Sequence, residues 1–201
     1  FIISFYYCTH MLAFKKHYFL IIESTKYFDL RNIKKLSKFT IIYRNNGKKE
    51  KIEEIIKFRN NCRLKQVKFL VANDFNLMIN TNSDGIYISA SNKSFKSLHL
   101  DKLRYEIVGS AHNLREINMK IKQRCKVILF SKLFLVDYDK TSPYLGLVKF
   151  SKIYNYISNK LVPLGGIKTS NLNSLNNLKC NSVAILSAIK KKPANIINRL
   201  F

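Results

Sequence analysis

The chain has 201 residues, which suits one domain or one small α/β barrel, and 47% of them are hydrophobic, enough for a buried core. Its formal net charge is +24, and a basic surface can attract nucleic acid, anionic membranes or phosphorylated substrates. The excess is mostly Lys, spread along the chain together with many Asn and Ile residues, as expected from a coding sequence biased toward A and T. Composition therefore excludes a disordered chain and leaves nucleic-acid binding as an alternative interpretation.

The four cysteines are far apart and form no CxxC pair: Cys8, Cys62, Cys125 and Cys180. No His or Cys stands at metal-ligand spacing around them. We therefore expect reduced, mostly buried thiols in a cytoplasmic protein, and no zinc site.

The first 16 residues are interpreted as an N-terminal extension that precedes a single domain over residues 17–201. Residues 1–14 are apolar but too short to span a bilayer. A secretory signal carries its positive charge before the apolar run, whereas here two lysines follow it. Because Phe1 is not an initiator, we expect the first ten residues to be an extension and Met11 to be the start.

Eight short apolar segments rich in Ile, Val, Phe and Tyr are predicted strands. They are His17–Glu23, Phe39–Arg44, Lys68–Asn73, Gly85–Ser89, Tyr105–Ser110, Val127–Phe134, Leu161–Gly165 and Ser182–Ser187. Segments with apolar residues at every third or fourth position predict helices at Lys49–Asn61, Asn113–Arg124, Leu147–Asn159 and Ser170–Leu178. Eight βα units in succession predict an α/β fold, a (βα)8 TIM barrel. No GxGxxG follows the first strand, which disfavours a doubly wound dinucleotide-binding sheet.

Most glycines fall at or just beyond the carboxyl ends of predicted strands: Gly47, Gly109, Gly146, Gly165 and Gly166. That end of a βα barrel carries the functional site. Ordinary turn chemistry explains Gly47 and Gly146 equally well, whereas we favour a function for Gly165 and Gly166. Together with Ser187 after strand 8, these two glycines predict a phosphate cradle built from backbone N–H groups.

Polar side chains end other strands. Arg44 ends strand 2, where a guanidinium can bind phosphate or form a surface salt bridge. Asn73 and Asp74 stand at the end of strand 3, where they either cap the next helix or bind a ligand and magnesium.

The ends of strands 5 and 6 carry three further candidates. Ser110 and His112 follow strand 5, and Asn113 is the expected cap of the next helix. Lys140, in the loop after strand 6, is placed to neutralise a leaving phosphate.

In this order, the segments resemble the thiamine-phosphate synthase family and its thiazole tautomerase relatives. The resemblance rests on YRN at 43–45, ND at 73–74, DGIYI at 84–88, VGSAHN at 108–113, YLG at 144–146, LGGI at 164–167 and VAILSAI at 183–189. It implies a transferase that joins hydroxymethylpyrimidine diphosphate to thiazole phosphate and releases pyrophosphate, with magnesium as cofactor.

The resemblance also implies roles for individual residues. Arg44 and Asn73 would bind the pyrimidine diphosphate, and Ser110 and Lys140 would contact it as the catalytic pair. Asp74 would bind magnesium, with Asn92 as a weak second ligand. The thiazole phosphate would be bound by Gly165, Gly166, Leu186 and Ser187.

Several family positions are altered. Ile42 replaces a Gln, Asn46 replaces a Lys, and Asn92 stands near the place of a second magnesium carboxylate. The paired threonines before the loop Lys are replaced by a segment with Val136, Asp137 and Asp139. Such losses weaken metal and phosphate binding.

Three alternatives to a divergent synthase remain at this point: a tautomerase-like isomerase that uses His112, a barrel that binds a phosphorylated ligand without turnover, and an RNA-binding protein. Our first interpretation has phosphorylated small molecules as partners, with no specific nucleic acid and no membrane, and it allows a homo-oligomer.

Overall fold

The computed structural model describes residues 17–33, 38–47, 50–137, 139, 141–157 and 160–186. The described residues form eight parallel strands. They are β1 (His17–Ile22), β2 (Phe39–Tyr43), β3 (Lys68–Ala72), β4 (Gly85–Ile88), β5 (Glu106–Ala111), β6 (Val127–Phe130), β7 (Leu161–Pro163) and β8 (Ser182–Ile185).

The strands are hydrogen-bonded in the order β7-β6-β5-β4-β3-β2-β1-β8. The pairing of β1 with β8 aligns His17 with Ser182, and β7 lies next to β8, so the sheet curls into a nearly closed barrel. The predicted TIM barrel is confirmed.

In the described ranges, five α-helices lie between the strands: α1 (Ile52–Leu64), α2 (Phe75–Asn80), α3 (Leu98–Lys102), α4 (Leu114–Lys122) and α5 (Gly146–Tyr156). Short 3-10 helices occupy Leu30–Asn32, Thr169–Asn171 and Asn173–Asn177. In the part of the chain that is described, no helix has the length and apolar character needed to cross a membrane.

Alternate side chains of each strand face opposite sides of the sheet. In β1, Phe19 and Ile21 belong to the cluster inside the barrel, whereas Tyr18, Leu20 and Ile22 pack in the larger cluster that includes helix residues. Both faces of the strand are therefore buried, which explains why the strand sequences show no regular polar alternation.

Most predicted elements differ from the observed ones by one to three residues at their ends, and two differ more. Strand β6 stops at Phe130 rather than Phe134, because the apolar residues that follow it belong to a loop. The helix predicted at Ser170–Leu178 is a pair of 3-10 helices, because this Asn-rich segment bonds to nearby backbone. The Asn171 side chain, for example, accepts from Lys168 N and donates to Gly166 O, both at 2.8 Å.

Three of the cysteines, Cys62, Cys125 and Cys180, are buried, as expected, and Cys62 and Cys125 are free thiols. Cys8 and the whole N-terminal extension lie outside the described residues.

Glu50 connects the loop after β1 to the segment before α1. Its carboxylate accepts hydrogen bonds from the Ser24 hydroxyl and from the backbone and side chain of Thr25. Burial tends to raise the pKa of Glu50, but the hydrogen bonds from Ser24 and Thr25 outweigh it, and the pKa is lowered.

Glu50→Gln is expected to lower the free energy of unfolding by about 1 kcal/mol at pH 7. Because the folded-state pKa of Glu50 is lowered, its contribution is present above the unfolded-state pKa and lost as pH falls through the folded one. Urea denaturation from pH 7 to pH 3 tests this. The gap between wild type and variant should close in acid, and a gap that is constant with pH would contradict the account.

Candidate active site

A cavity of about 390 Å³ opens at the carboxyl ends of the strands. It is lined by Arg44 after β2, Ser110 in β5, Gly165 and Gly166 after β7, and Leu186 after β8. The barrel topology therefore brings together predicted residues from four strand ends that are far apart in sequence. Two further predicted residues, Lys140 and Ser187, lie outside the described residues.

Arg44 is half-buried at the cavity wall. Its Nε atom is buried and has no hydrogen-bond partner among the residues that the structure describes. The neighbouring Tyr87 hydroxyl interacts with both Arg44 and Ser110. Burial raises the pKa of Tyr87, while the Ser110 hydrogen bond and the Arg44 charge act in the opposite direction. Arg44 thus borders the cavity, where a guanidinium is suited to bind a phosphate anion.

The turn after β7 requires glycine. Gly165 has φ +95° and Gly166 has φ +68°. A Cβ at Gly166 would lie 2.5 Å from the carbonyl oxygens of both Phe134 and Leu135. The backbone here therefore packs directly on the loop after β6 and borders the cavity without an intervening side chain, as a phosphate cradle requires.

Asn73 and Asp74 lie at the same rim, exposed, and outside the wall of the cavity. Asp74 Oδ1 accepts from Leu77 N at 2.9 Å and caps α2. Asn73 Oδ1 accepts from Ser89 N and from the Asn92 side chain, each at 3.0 Å. These contacts bind the loop after β3 to the loop after β4.

Of the two residues predicted to bind magnesium, Asp74 and Asn92, only Asp74 carries a carboxylate. The described residues contain no group of three His, Cys, Asp or Glu side chains able to hold a metal ion together. The Asn92 side-chain oxygen accepts from Ser94 N at 2.9 Å. Magnesium is commonly bound by one or two carboxylates together with substrate phosphates. The residues fit an ion held by one carboxylate and the substrate, and they do not fit a site built from two carboxylates.

Lys120 of α4 forms hydrogen bonds with the loop after β4. Its fully buried ammonium donates to Ser89 O at 2.6 Å, to Asn92 O at 2.8 Å and to the Gln123 side chain at 3.0 Å. Burial lowers the pKa of Lys120. Gly109 leaves room for this side chain, since a Cβ there would lie 2.9 Å from Lys120 Cδ. Gly109 therefore serves packing, and the lysine positions Ser89 at the cavity.

His112 also lines the cavity, and its Nδ1 lies 2.9 Å from the Ser131 hydroxyl. The next residue, Asn113, caps α4 as predicted, accepting from Glu116 N at 2.9 Å. Glu116 is a cavity residue too, but its carboxylate already accepts from His112 N at 2.7 Å and from the Asn113 side chain at 3.1 Å.

Sequence reasoning missed Ser131 and Lys132 as cavity residues. Their position was hidden because β6 was expected to continue to Phe134, which placed both residues inside a strand. The rule that found Arg44, polar residues at the carboxyl end of a strand, finds them once β6 ends at Phe130.

The altered family positions have structural partners. Ile42 is fully buried in the barrel interior. Asn46 donates to the Glu23 carboxylate at 2.7 Å. Val136 is buried and lines the cavity, and Asp137 and Asp139 form ion pairs with lysines. Two buried aliphatic residues and three paired polar ones offer fewer groups to a phosphate than a Gln, a Lys and two threonines.

A model of the thiamine monophosphate synthase family matches residues 30–189. The chain belongs to this family. This family member is 24% identical over 148 residues to a thiamine-phosphate synthase of Prochlorococcus marinus subsp. pastoris, a match that covers 73% of this chain and 42% of the relative. It is 23% identical over 149 residues to the thiamine-phosphate synthase of Persephonella marina, covering 74% and 71%. The chain thus spans less than half the length of the Prochlorococcus relative.

Solved structures show the same fold. The thiamine phosphate pyrophosphorylase of Pyrococcus furiosus has a TM-score of 0.73 at 16% identity, covering 94% of this chain and 95% of its own. The 3-keto-L-gulonate-6-phosphate decarboxylase of Vibrio cholerae has a TM-score of 0.59 at 12% identity, covering 92% and 95%. At these identities the likeness concerns the barrel alone.

Proposed function

We propose that the chain is a thiamine-phosphate synthase, which joins hydroxymethylpyrimidine diphosphate to thiazole phosphate and releases pyrophosphate. The observation that carries this proposal is the pairing of two anion-binding features in one cavity. Arg44 comes from β2, and the Gly165–Gly166 backbone comes from β7. Two phosphorylated substrates that react with each other require two such features.

In this proposal, Arg44 and Ser110 bind the diphosphate, with Lys140 as a further contact. Ionisation of the pyrimidine diphosphate leaves a cation-like carbon, which the thiazole nitrogen attacks. The diphosphate departs with the bonding electrons, so the cationic side chains stabilise the negative charge that develops on it. Asn73 stays a predicted pyrimidine-diphosphate ligand.

The thiazole phosphate is proposed to bind the N–H groups of the turn after β7, near Leu186 and Ser187. The positive φ angles of Gly165 and Gly166 allow that close approach. The buried wall of Val136 and Leu164 limits water around the reacting atoms.

Asp74 is the residue that would hold a magnesium ion. When bound, the ion would neutralise negative charge on the diphosphate. Asn92 is a weak candidate because its side-chain oxygen accepts from Ser94 N.

A second candidate function is supported by His112. Its imidazole borders the cavity and touches the Ser131 hydroxyl, an arrangement suited to proton transfer in a thiazole-phosphate tautomerase. That reaction needs acid-base groups and no metal ion.

We also infer that the protein acts in the cytoplasm on small phosphorylated molecules and has no specific nucleic-acid partner. The buried thiols of Cys62 and Cys125 support a reducing compartment. The proposal that the ligands are small phosphorylated molecules is supported by the cavity and not by the net charge of the chain.

The test is incubation of the chain with both substrates and magnesium, with detection of thiamine phosphate. Wild type and His112→Ala are expected to form product, while Asp74→Ala should lose at least about tenfold in rate because it removes a charge-assisted contact. Absence of product from folded wild-type protein would contradict the synthase. Conversion of a thiazole tautomer that vanishes in His112→Ala would favour the second candidate.

A further inference from the structure

The described part of the loop after β6 is attached to the rim of the barrel by two ion pairs. Lys132 Nζ lies 2.6 Å from Asp139 Oδ2, and Lys168 Nζ pairs with Asp137. Both carboxylates belong to the loop, and both lysines follow strands, β6 and β7. Both are lysine–aspartate pairs, and both aspartates lie in the same loop.

Only the first pair reaches the cavity. Lys132 is a cavity residue whose side chain is 19% exposed, and Asp139 is 31% exposed. Lys168 does not line the cavity, and its side chain is 44% exposed. The hydrogen bond from Lys132 is the main reason why the pKa of Asp139 is held well below its usual range. At neutral pH, therefore, the ionised carboxylate of Asp139 is paired with the ammonium of Lys132 at the wall of the cavity.

We propose that Lys132 is an additional binding residue for a phosphate oxygen of the substrate, and that Asp139 occupies it until the substrate displaces the carboxylate. This inference rests on the proposed function only in assuming a phosphorylated ligand in the cavity. A carboxylate and a phosphate offer an ammonium the same kind of anionic oxygen acceptor. Asp139 thus acts as an internal competitor.

When phosphate replaces Asp139 on Lys132, the Asp139 carboxylate still has hydrogen-bond donors. Asp139 also accepts from the Ser142 hydroxyl and from Ser142 N at 3.1 Å, so it keeps donors after Lys132 turns away. An ion pair that is partly exposed contributes little free energy to folding. A diphosphate carries more charge than one carboxylate and competes successfully for the lysine.

The experiment is calorimetric titration of the full chain with inorganic pyrophosphate at constant ionic strength. Asp139→Asn removes the competitor and should tighten binding by about three- to fivefold, the range of a partly exposed ion pair. Lys132→Met removes the ammonium and should weaken binding by about tenfold or more. Asp137→Asn is the matched control, because it releases the same loop without freeing a cavity lysine, and its affinity should equal that of wild type.

Thermal denaturation establishes that each variant is folded. Equal pyrophosphate affinities of Lys132→Met and wild type would overturn the inference. So would equal gains in Asp139→Asn and Asp137→Asn, since loop release would then be the cause. The turnover assay is independent: a wild type that makes thiamine phosphate while Asp139→Asn leaves affinity unchanged would sink this inference and keep the proposed function. A wild type that makes no thiamine phosphate, while Asp139→Asn binds pyrophosphate more tightly, would keep this inference and contradict the proposed function.

Discussion

Arg44→Met is expected to reduce kcat/KM for the pyrimidine diphosphate by about a hundredfold or more, since it removes a guanidinium able to make two parallel charge-assisted bonds. Thermal stability should be about equal to that of wild type. The substitution removes the contact with the Tyr87 hydroxyl, but it also removes a buried Nε that has no hydrogen-bond partner in the described part of the chain. Replacing an unpaired buried polar group by an apolar one relieves a cost to folding.

Arg59→Met is the matched control for Arg44→Met. Arg59 of α1 is buried and its Nε likewise has no partner among the described residues, but the side chain does not line the cavity. Its replacement should leave kcat/KM unchanged. Steady-state kinetics and a thermal scan of both variants show whether a loss of activity comes from lost anion binding. An equal loss of activity in the two would mean that helix packing, and not anion binding, is the cause.

Gly166→Ala is expected to lower the free energy of unfolding by about 3 kcal/mol, from overpacking together with the cost of a positive φ. The added Cβ would lie 2.5 Å from two carbonyl oxygens, those of Phe134 and Leu135, and backbone cannot rotate away as a side chain can. The turn must move, and the affinity for thiazole phosphate should fall with it.

Gly146→Ala separates these two causes. Gly146 has φ +69°, almost the +68° of Gly166, but a Cβ there would meet nothing within 4 Å. This control should cost only about 1 kcal/mol, the backbone contribution alone. Urea denaturation of both variants measures the difference. Equal losses would show that the contact with the loop after β6 is unimportant.

The barrel was predictable from the sequence because each strand is a short apolar run closed by a polar or glycine-rich turn. Residues that follow such runs, Arg44 and Gly166 among them, meet at one rim for topological reasons alone. The sequence therefore indicated which end carries the site before any side-chain position was known.

The other parts of the site could not be predicted, because they depend on where strands end and on contacts between elements that are distant in sequence. Lys132 was hidden in an apolar run that continues beyond β6. The contacts of Lys120 with the loop after β4 join residues 28 and 31 positions apart. A lysine on a helix predicts an exposed side chain, and only the space above Gly109 allows this one to be buried.

The most direct test of the central claim is a crystal structure of the chain soaked with thiamine phosphate and pyrophosphate. We expect both molecules to bind in the cavity at the carboxyl ends of the strands. Pyrophosphate should contact Arg44 and Ser110, and the phosphate of thiamine phosphate should contact the backbone of Gly165 and Gly166. Phosphate groups bound elsewhere, with this cavity filled only by water, would contradict it.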